Sequence, residues 1–174
     1  MKPLIFNSTP LIYLTKAGLS TVFVNLQGEK MTSPTVKREV VDEGKRKGVP
    51  DAIVLEKLFE NGVFKVCKPN DESFLSRLLK TSGLHMADAE VLALARERGG
   101  FAVIDDEVAR KTAKVYGIGY VGSTYVLMRA VCEGIISKDA AKQALNDMIF
   151  AGWRCSVESY AKIIEVLEKI QVKH

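Results

Sequence analysis

The 174-residue sequence lacks the features of several protein classes. No apolar run reaches about 18 residues, so the sequence contains no candidate membrane span. The three cysteines, Cys67, Cys132 and Cys155, are far apart and form no CxxC pair. This pattern predicts reduced thiols packed in the core of a cytoplasmic protein. The two histidines, His85 and His174, stand at spacings from these cysteines that exclude a zinc site.

Internal repeats and low-complexity linkers are also absent from the sequence. The opening segment, MKPLIFNSTPLIYL, carries Asn7, Ser8 and Pro10 and lacks a small-residue cleavage site, so it predicts a first strand rather than a signal peptide. The net charge of +4 permits a nucleic-acid partner without demonstrating one. The length is sufficient to bury a full core, and we expect a single domain over residues 1–174.

The chain is organised around the stretch 84–110, LHMADAEVLALARERGGFAVIDDEVAR. Apolar residues recur there at three-to-four spacing among strong helix formers, which predicts a helix over 86–98. Gly99-Gly100 ends that helix. The short apolar run 101–104 then predicts an interior strand of a sheet.

Three acids in this stretch are candidates for chemistry. Asp88 lies in the first turn of the predicted helix on a partly apolar face, and Asp105 and Asp106 follow the predicted strand. Because ligands gather at the carboxyl ends of strands in an open α/β sheet, these acids indicate a cation site. Each also has a structural interpretation. Asp88 can complement the helix dipole, and Asp105 or Asp106 can cap the helix that follows.

Polar residues follow two other predicted strands. Asn7 and Ser8 come directly after the strand 3–6, and Ser123 follows the strand 117–121. If the strands are parallel, these residues and the acids meet at one edge of the sheet.

A helix that begins after the brief strand 30–32 contributes one more acid. Ser33 suits the N-cap and Pro34 the first helical position. Glu39 lies beside the apolar stripe of this helix, whereas its Lys and Arg residues face water. The alternative for Glu39 is a surface acid that pairs with a lysine.

Strands and helices alternate, with connections long enough for parallel pairing. We therefore predict an α/β fold with three α/β/α layers and a central, mostly parallel sheet. The motif-bearing core covers about residues 3–135, and the C-terminal helices cover 137–172. The other predicted elements are an edge strand at 63–66 and helices at 10–16, 21–26, 51–60, 72–80, 107–116 and 125–132.

Taken together, these motifs resemble those of the PIN-domain nucleases over about residues 3–135. In that family a first strand ends in Asp and Ser or Thr, a Pro-initiated helix carries Glu, a helix begins with Asp-Ala, a strand ends in Asp, and a last strand precedes Gly and Ser or Thr. The sequence looks most like the branch close to toxin ribonucleases of the VapC kind. The matching residues are Asn7-Ser8, Pro34 with Glu39, Asp88-Ala89, Asp105-Asp106 and Gly122-Ser123.

The resemblance implies an endoribonuclease that hydrolyses RNA phosphodiester bonds with Mg²⁺ or Mn²⁺, hard cations that oxygen ligands bind and that lower the pKa of bound water. It implies catalytic roles for Asp88, Asp106, Glu39 and Asn7. It implies metal ligation by Asp88, Asp106, Asp105 and Glu39, with Asp106 preferred to Asp105. Residues expected to bind the substrate are Ser8, Ser123, Thr124, Arg110 and Lys111.

Position 7 departs from the family pattern because Asn7 replaces an acid. An amide can ligate a metal through its oxygen, but at an effective dielectric of about 20 the lost charge weakens the attraction by several kcal/mol. A catalytically silent PIN fold that binds RNA or a protein is therefore the second hypothesis. A phosphatase-like or response-regulator-like domain is the third.

The resemblance also implies partners. RNA is the expected substrate, an antitoxin protein is a further expected partner, and a homodimer is the expected assembly, with no membrane association. The apolar stripe of the last predicted helix is interpreted as core rather than as interface; it contains Tyr160, Ile163, Ile164 and Leu167.

Overall fold

The computed structural model describes residues 1–171. The chain forms two compact units, the first from Met1–Ile12 and Gly28–Gly122, the second from Tyr13–Gln27 and the chain from Ser123 onward. The predicted helix end at residue 172 and His174 lie outside the described residues. The single domain over 1–174 stays a prediction.

A five-stranded sheet is the centre of the first unit, and its strand order is β3-β2-β1-β4-β5. Each neighbouring pair of strands is parallel, as the sequence predicts. In the central register, Phe6 lies opposite Val103. The strands are β1 (Leu4–Phe6), β2 (Lys30–Thr32), β3 (Lys65–Val66), β4 (Phe101–Val103) and β5 (Tyr120–Val121).

Helices cover both faces of this sheet. Crossovers between parallel strands are right-handed in nearly all proteins. The β2–β3 connection therefore lies on one face of the sheet, and the β3–β4 and β4–β5 connections lie on the other. The predicted three-layer α/β/α architecture is confirmed. Between β2 and β3 lie α3 (Pro34–Lys37), a π-helical turn (Arg38–Glu43), α4 (Gly44–Arg46) and α5 (Pro50–Glu60); after β3 come α6 (Glu72–Leu78), α7 (Met86–Glu97) and α8 (Glu107–Val115).

The central strand shows why the sheet is an interior element. Leu4, Ile5 and Phe6 of β1 are all buried, as expected for a parallel strand with helices on both faces. The Phe6 ring packs edge-to-face on Phe64, with 5.5 Å between ring centroids. The buried side chains of helix α7 are apolar except for that of Asp88. Their packing holds the first turn of the helix at the carboxyl edge of the sheet.

Helix α1 (Ser8–Lys16) begins at the end of β1 and continues into the second unit. The second unit is helical throughout its described part, and Ser137 and Ser156 cap two of its helices, as predicted. Of the predicted apolar stripe, Ile163 and Leu167 are buried, whereas Tyr160 and Ile164 are half-buried. The remaining helices are α2 (Ser20–Asn25), α9 (Ser123–Cys132), α10 (Lys138–Phe150) and α11 (Val157–Lys169).

Two details differ from the sequence analysis. The three cysteines are half-buried rather than packed in the core, because each lies at the end of an element or between two helices. The helix expected after Ser33 contains the π-helical turn, which simple periodicity does not reveal. No helix within residues 1–171 is long and apolar enough to cross a membrane.

Gly100 marks the closest approach between β1 and the start of β4. A Cβ atom there would lie 2.5 Å from the carbonyl oxygen of Pro3 and 2.6 Å from Cδ1 of Ile5. The Pro3 oxygen also accepts a hydrogen bond from Phe101 N at 2.9 Å, so it cannot move away without loss of that bond.

We expect Gly100→Ala to lower the free energy of unfolding by about 2–3 kcal/mol, since overpacking forces the backbone apart. Chemical denaturation measures this. The control is Gly48→Ala, whose Cβ would meet nothing within 4 Å and which costs only the strain of left-handed backbone, about 1 kcal/mol. Equal losses in the two variants would contradict the packing argument.

Candidate active site at the carboxyl edge of the sheet

Asn7 occupies the junction between β1 and α1. Its backbone N–H donates to Val103 O at 3.1 Å, which extends the β1–β4 ladder by one residue, and its carbonyl accepts from Leu11 N as α1 begins. The side chain is 6% exposed, and its Oδ1 accepts from Ser8 N at 2.9 Å. The amide Nδ2 therefore points away from the start of α1 and is available to another element.

That other element is α7. Asn7 Nδ2 donates to Asp88 Oδ1 at 2.6 Å, and His85 N donates to Asp88 Oδ2 at 3.0 Å. Asp88 is only 6% exposed, so its carboxylate needs these donors to offset the cost of burial. The first-turn position of Asp88, which the sequence analysis interpreted in two ways, thus serves both the helix start and the contact with Asn7.

Glu39 reaches the same junction from the opposite direction. Ser8 Oγ donates to Glu39 Oε2 at 2.5 Å. Glu39 is half-buried and lies in the π-helical turn, while Val40 and Val41 beside it are buried. A π-helical turn inserts an extra residue into a helix, and such turns often occur at functional sites. Here the turn keeps both valines in the core while Glu39 faces Ser8.

These bonds join four residues into one network, in which the Ser8 backbone N–H makes the link to Asn7. We call it the Asn7 cluster, and it consists of Glu39, Ser8, Asn7 and Asp88. The cluster connects β1, α1, the π-helical turn and α7. The sequence analysis grouped these residues with Asp105, Asp106 and Ser123 at one edge of the sheet, and in the structure the hydrogen bonds join only the four. It contributes two carboxylates, one amide and one hydroxyl.

Asp106 and Asp105 have other partners. Asp106 is exposed and caps α8, because its Oδ2 accepts from Ala109 N at 2.8 Å. Asp105 Oδ1 lies 3.4 Å from the Arg110 guanidinium. Within residues 1–171, no group of three or more acidic, histidine or cysteine side chains is placed to hold a metal ion. The metal-binding roles of Asp105 and Asp106 therefore stay predictions.

The other predicted substrate-binding residues lie in different settings. Lys111 pairs with Glu107 at 2.6 Å on the exposed side of α8. The hydrogen bond and charge of Lys111 hold the pKa of Glu107 below its ordinary value. Ser123 and Thr124 begin α9 in the second unit, where Ser123 is fully buried and Thr124 half-buried. Their roles in substrate binding stay predictions.

Glu90 is a residue that the sequence analysis missed. Its Oε2 accepts from Thr35 N at 3.3 Å, so a side chain of α7 satisfies one of the unpaired donors at the start of α3. Ser33 caps the same helix through Val36 N at 3.2 Å. Glu90 thus helps to fix the helix that leads to Glu39. No local pattern reveals this role, because the partner lies 55 residues away.

The Asn7 cluster contains side-chain types that ligate hydrated divalent cations in proteins. Mg²⁺ and Mn²⁺ prefer oxygen ligands, and Mg²⁺ commonly uses one or two carboxylates and keeps several waters. Glu39 and Asp88 supply two charges, and Ser8 and Asn7 supply neutral oxygens. However, the Asn7 amide directs its Nδ2 at Asp88 and its Oδ1 at Ser8 N. The amide would therefore have to rotate before its oxygen could ligate a cation.

Comparisons with known proteins agree on one family. A family model described as a PIN domain matches residues 3–169. The chain is also similar to Endoribonuclease Nob1 of Pyrococcus abyssi, with 35% identity over 108 residues, or 58% of this chain. That match spans 63% of the length of the relative.

A solved structure shows the same fold. The crystal structure of PAE2754 from Pyrobaculum aerophilum has a TM-score of 0.53 and 17% sequence identity. The likeness covers 74% of this chain and 97% of the other. At that identity it supports the fold alone.

The Asn7–Asp88 contact makes the acid at position 7 directly testable. In Asn7→Asp, a carboxylate oxygen would replace the Nδ2 that now donates to Asp88 Oδ1 at 2.6 Å, so two carboxylates would face each other. In EDTA near neutral pH, we expect the free energy of unfolding to fall by about 2 kcal/mol through lost hydrogen bonding and repulsion. Mn²⁺ should then stabilise the variant more than the wild type, with about 5- to 30-fold tighter binding.

The matched control exchanges the two groups. Asn7→Asp combined with Asp88→Asn restores one donor facing one acceptor and leaves the net charge of the pair unchanged, so much of the stability in EDTA should return. Denaturation with and without Mn²⁺ measures both effects. An Asn7→Asp variant as stable in EDTA as the wild type would contradict the observed contact.

Proposed function

Because the chain belongs to the PIN-domain family, we propose that it is an endoribonuclease. The observation that carries the proposal is the Asn7 cluster, a hydrogen-bonded network of two buried and two half-buried residues at the carboxyl ends of β1 and β4. In open α/β sheets this edge is where ligands bind. The similarity to Endoribonuclease Nob1 of Pyrococcus abyssi supports RNA as the substrate.

Within the cluster the two acids have different tasks. Asp88 accepts hydrogen bonds at both oxygens and is almost fully buried, so it is a fixed negative charge that orients its neighbours. Glu39 is half-buried and accepts from Ser8 at one oxygen. Glu39 is therefore the better placed of the two to accept a proton from a water molecule. Ser8, whose proton faces Glu39, offers its oxygen as an acceptor that orients such a water.

We further propose that the reaction depends on Mg²⁺ or Mn²⁺. Glu39 and Asp88 would hold the cation, with Asp106 and then Asp105 as further ligands. When bound, such a cation stabilises charge on phosphate oxygens and lowers the pKa of bound water. The protein contributes a rigid placement of its acids, since both are fixed by hydrogen bonds to other elements.

The finer parts of the proposal concern partners. Ser123, Thr124 and Lys111 are proposed to contact RNA along with the cluster. A role as the toxin of a toxin–antitoxin pair and a homodimeric assembly rest on resemblance to the VapC-like branch. A single PIN-like domain over 1–174 is part of the same proposal, supported by a family match that extends over both compact units.

A second candidate function is a catalytically silent PIN fold that binds RNA or a protein. Asn7 favours this candidate, because its amide donates to Asp88 and brings no charge to attract a cation. The two functions differ in one outcome, which is cleavage of bound RNA.

We expect the wild type to cleave a mixture of structured RNAs in Mn²⁺ and to lose activity in EDTA. Asp88→Asn should lower kcat by about 10- to 100-fold, the usual effect of a change in or next to a metal site. Asp106→Asn should lower it by at least about tenfold with little loss of stability, because Asn caps a helix as well as Asp does. Gel-based cleavage assays and melting curves measure these quantities.

Asp71→Asn is the matched control for Asp106→Asn. Asp71 caps α6 through Phe74 N at 2.8 Å, the same arrangement as Asp106 and Ala109 N. Asp71→Asn should leave the rate of RNA cleavage unchanged. If the wild type binds RNA but does not cut it in Mn²⁺, the silent fold replaces the nuclease. If Asp106→Asn behaves like Asp71→Asn, Asp106 is a helix cap and nothing more.

A further inference from the structure

Arg110 is held in an unusual position for a basic residue on an amphipathic helix. Its Nε donates to Ile104 O at 2.9 Å, and its Nη2 lies 3.4 Å from Asp105 Oδ1. The guanidinium therefore folds back from α8 onto the end of β4. The side chain stays 39% exposed, and the guanidinium has more N–H donors than these two contacts use.

Gly122 provides the space for this arrangement. A Cβ atom on Gly122 would overlap Arg110 Nη2 and lie 3.0 Å from Asp105 Oδ1. Gly122 directly follows β5, so the guanidinium lies across the carboxyl ends of β4 and β5. A side chain of any size at position 122 would displace it.

The register places this guanidinium beside the Asn7 cluster. Asn7 N donates to Val103 O at the end of β4, and the next residue, Ile104, accepts from Arg110 through its carbonyl oxygen. Adjacent strands lie about 4.8 Å apart. Because the guanidinium lies between the ends of β4 and β5, it is about one to two strand spacings from the junction that bears Asn7, on the same edge of the sheet.

Other basic residues of α8 lack this placement. Lys111 pairs with Glu107, and both side chains are largely exposed. Lys114 is exposed in the last turn of the helix, away from its start at the strand ends. A planar guanidinium that is fixed in advance loses less conformational freedom on binding a phosphate than a flexible ammonium does.

We propose that Arg110, seated on Ile104 O and Asp105 in the space left by Gly122, binds a backbone phosphate of single-stranded RNA next to the Asn7 cluster. The inference rests on the proposed function for its substrate class. It assigns to Asp105 the role of orienting Arg110, in place of the role of a further metal ligand, and to Gly122 the role of leaving room for the guanidinium. Such a contact fixes the register of the RNA and reads no base.

The test measures binding rather than cleavage. The affinity of a short fluorescein-labelled single-stranded RNA is followed by anisotropy in EDTA, between about 50 and 200 mM salt. Arg110→Ala should weaken binding about tenfold at the lowest salt and reduce the log–log salt slope by about 0.7, the value for one phosphate on a single strand. Lys114→Ala removes the same charge from the same helix and should weaken binding less than about threefold.

Two further variants separate charge from placement. Gly122→Ala alters no charge, so a loss of affinity greater than that of Lys114→Ala supports the seated guanidinium. Arg110→Lys keeps the charge and lacks the fork, and its affinity should fall between those of wild type and Arg110→Ala, with the salt slope retained. This variant decides the matter if Gly122→Ala does not fold.

Equal affinities and salt slopes for Arg110→Ala and Lys114→Ala would overturn the inference, as would a wild type that binds no RNA at the lowest salt. A failure of the nuclease proposal would give a different experimental result. In that case RNA bound by the wild type stays intact after Mn²⁺ is added, while the order of affinities among the variants is unchanged.

Discussion

The hydrogen bond from Asn7 to Asp88 is the contact on which the candidate site depends. It links the end of the central strand to the start of α7, and the two residues are 81 positions apart in the chain. Both side chains are buried, so each would carry an unpaired polar group if the other were removed. With Asn7 fixed in this way, Ser8 follows in a set direction and meets Glu39. The Asn7 amide thus links β1 to α7, and the Ser8 hydroxyl links α1 to the π-helical turn.

The amide also decides the electrostatic state of the site. A donor facing a buried carboxylate is favourable, whereas two carboxylates at that separation repel and depend on a cation or a shared proton. Asn7 therefore gives a site that is stable by itself, with fewer charges to attract a metal. The Arg110–Asp105 pair lies one strand further along and adds an oriented positive charge at the same edge.

Much of the fold could be predicted from the sequence. Helical periodicity and glycine breaks predicted α7 and β4 within one residue at each boundary, because those signals are local. The strand-end rule placed Asn7 and Ser8 at the carboxyl edge of the sheet, and the family motifs added Glu39 and Asp88 to them; the hydrogen bonds join these four residues, whereas Asp106 caps a helix. The donor role of Asn7, the π-helical turn and the contact between Glu90 and Thr35 could not be predicted, since each depends on a distant partner or on an extra residue in a helix. Asp106 shows the same limit, because a helix cap and a ligand look alike in sequence.

A double-mutant cycle for Asn7 and Asp88 tests the central claim most directly. The free energy of unfolding would be measured in EDTA for the wild type, Asn7→Ala, Asp88→Ala and the double variant. For a buried hydrogen bond to a charged group, the account predicts a coupling energy of about 1.5–3 kcal/mol. A coupling energy near zero would contradict it, because the two side chains would then contribute independently and the site would not be organised by their contact.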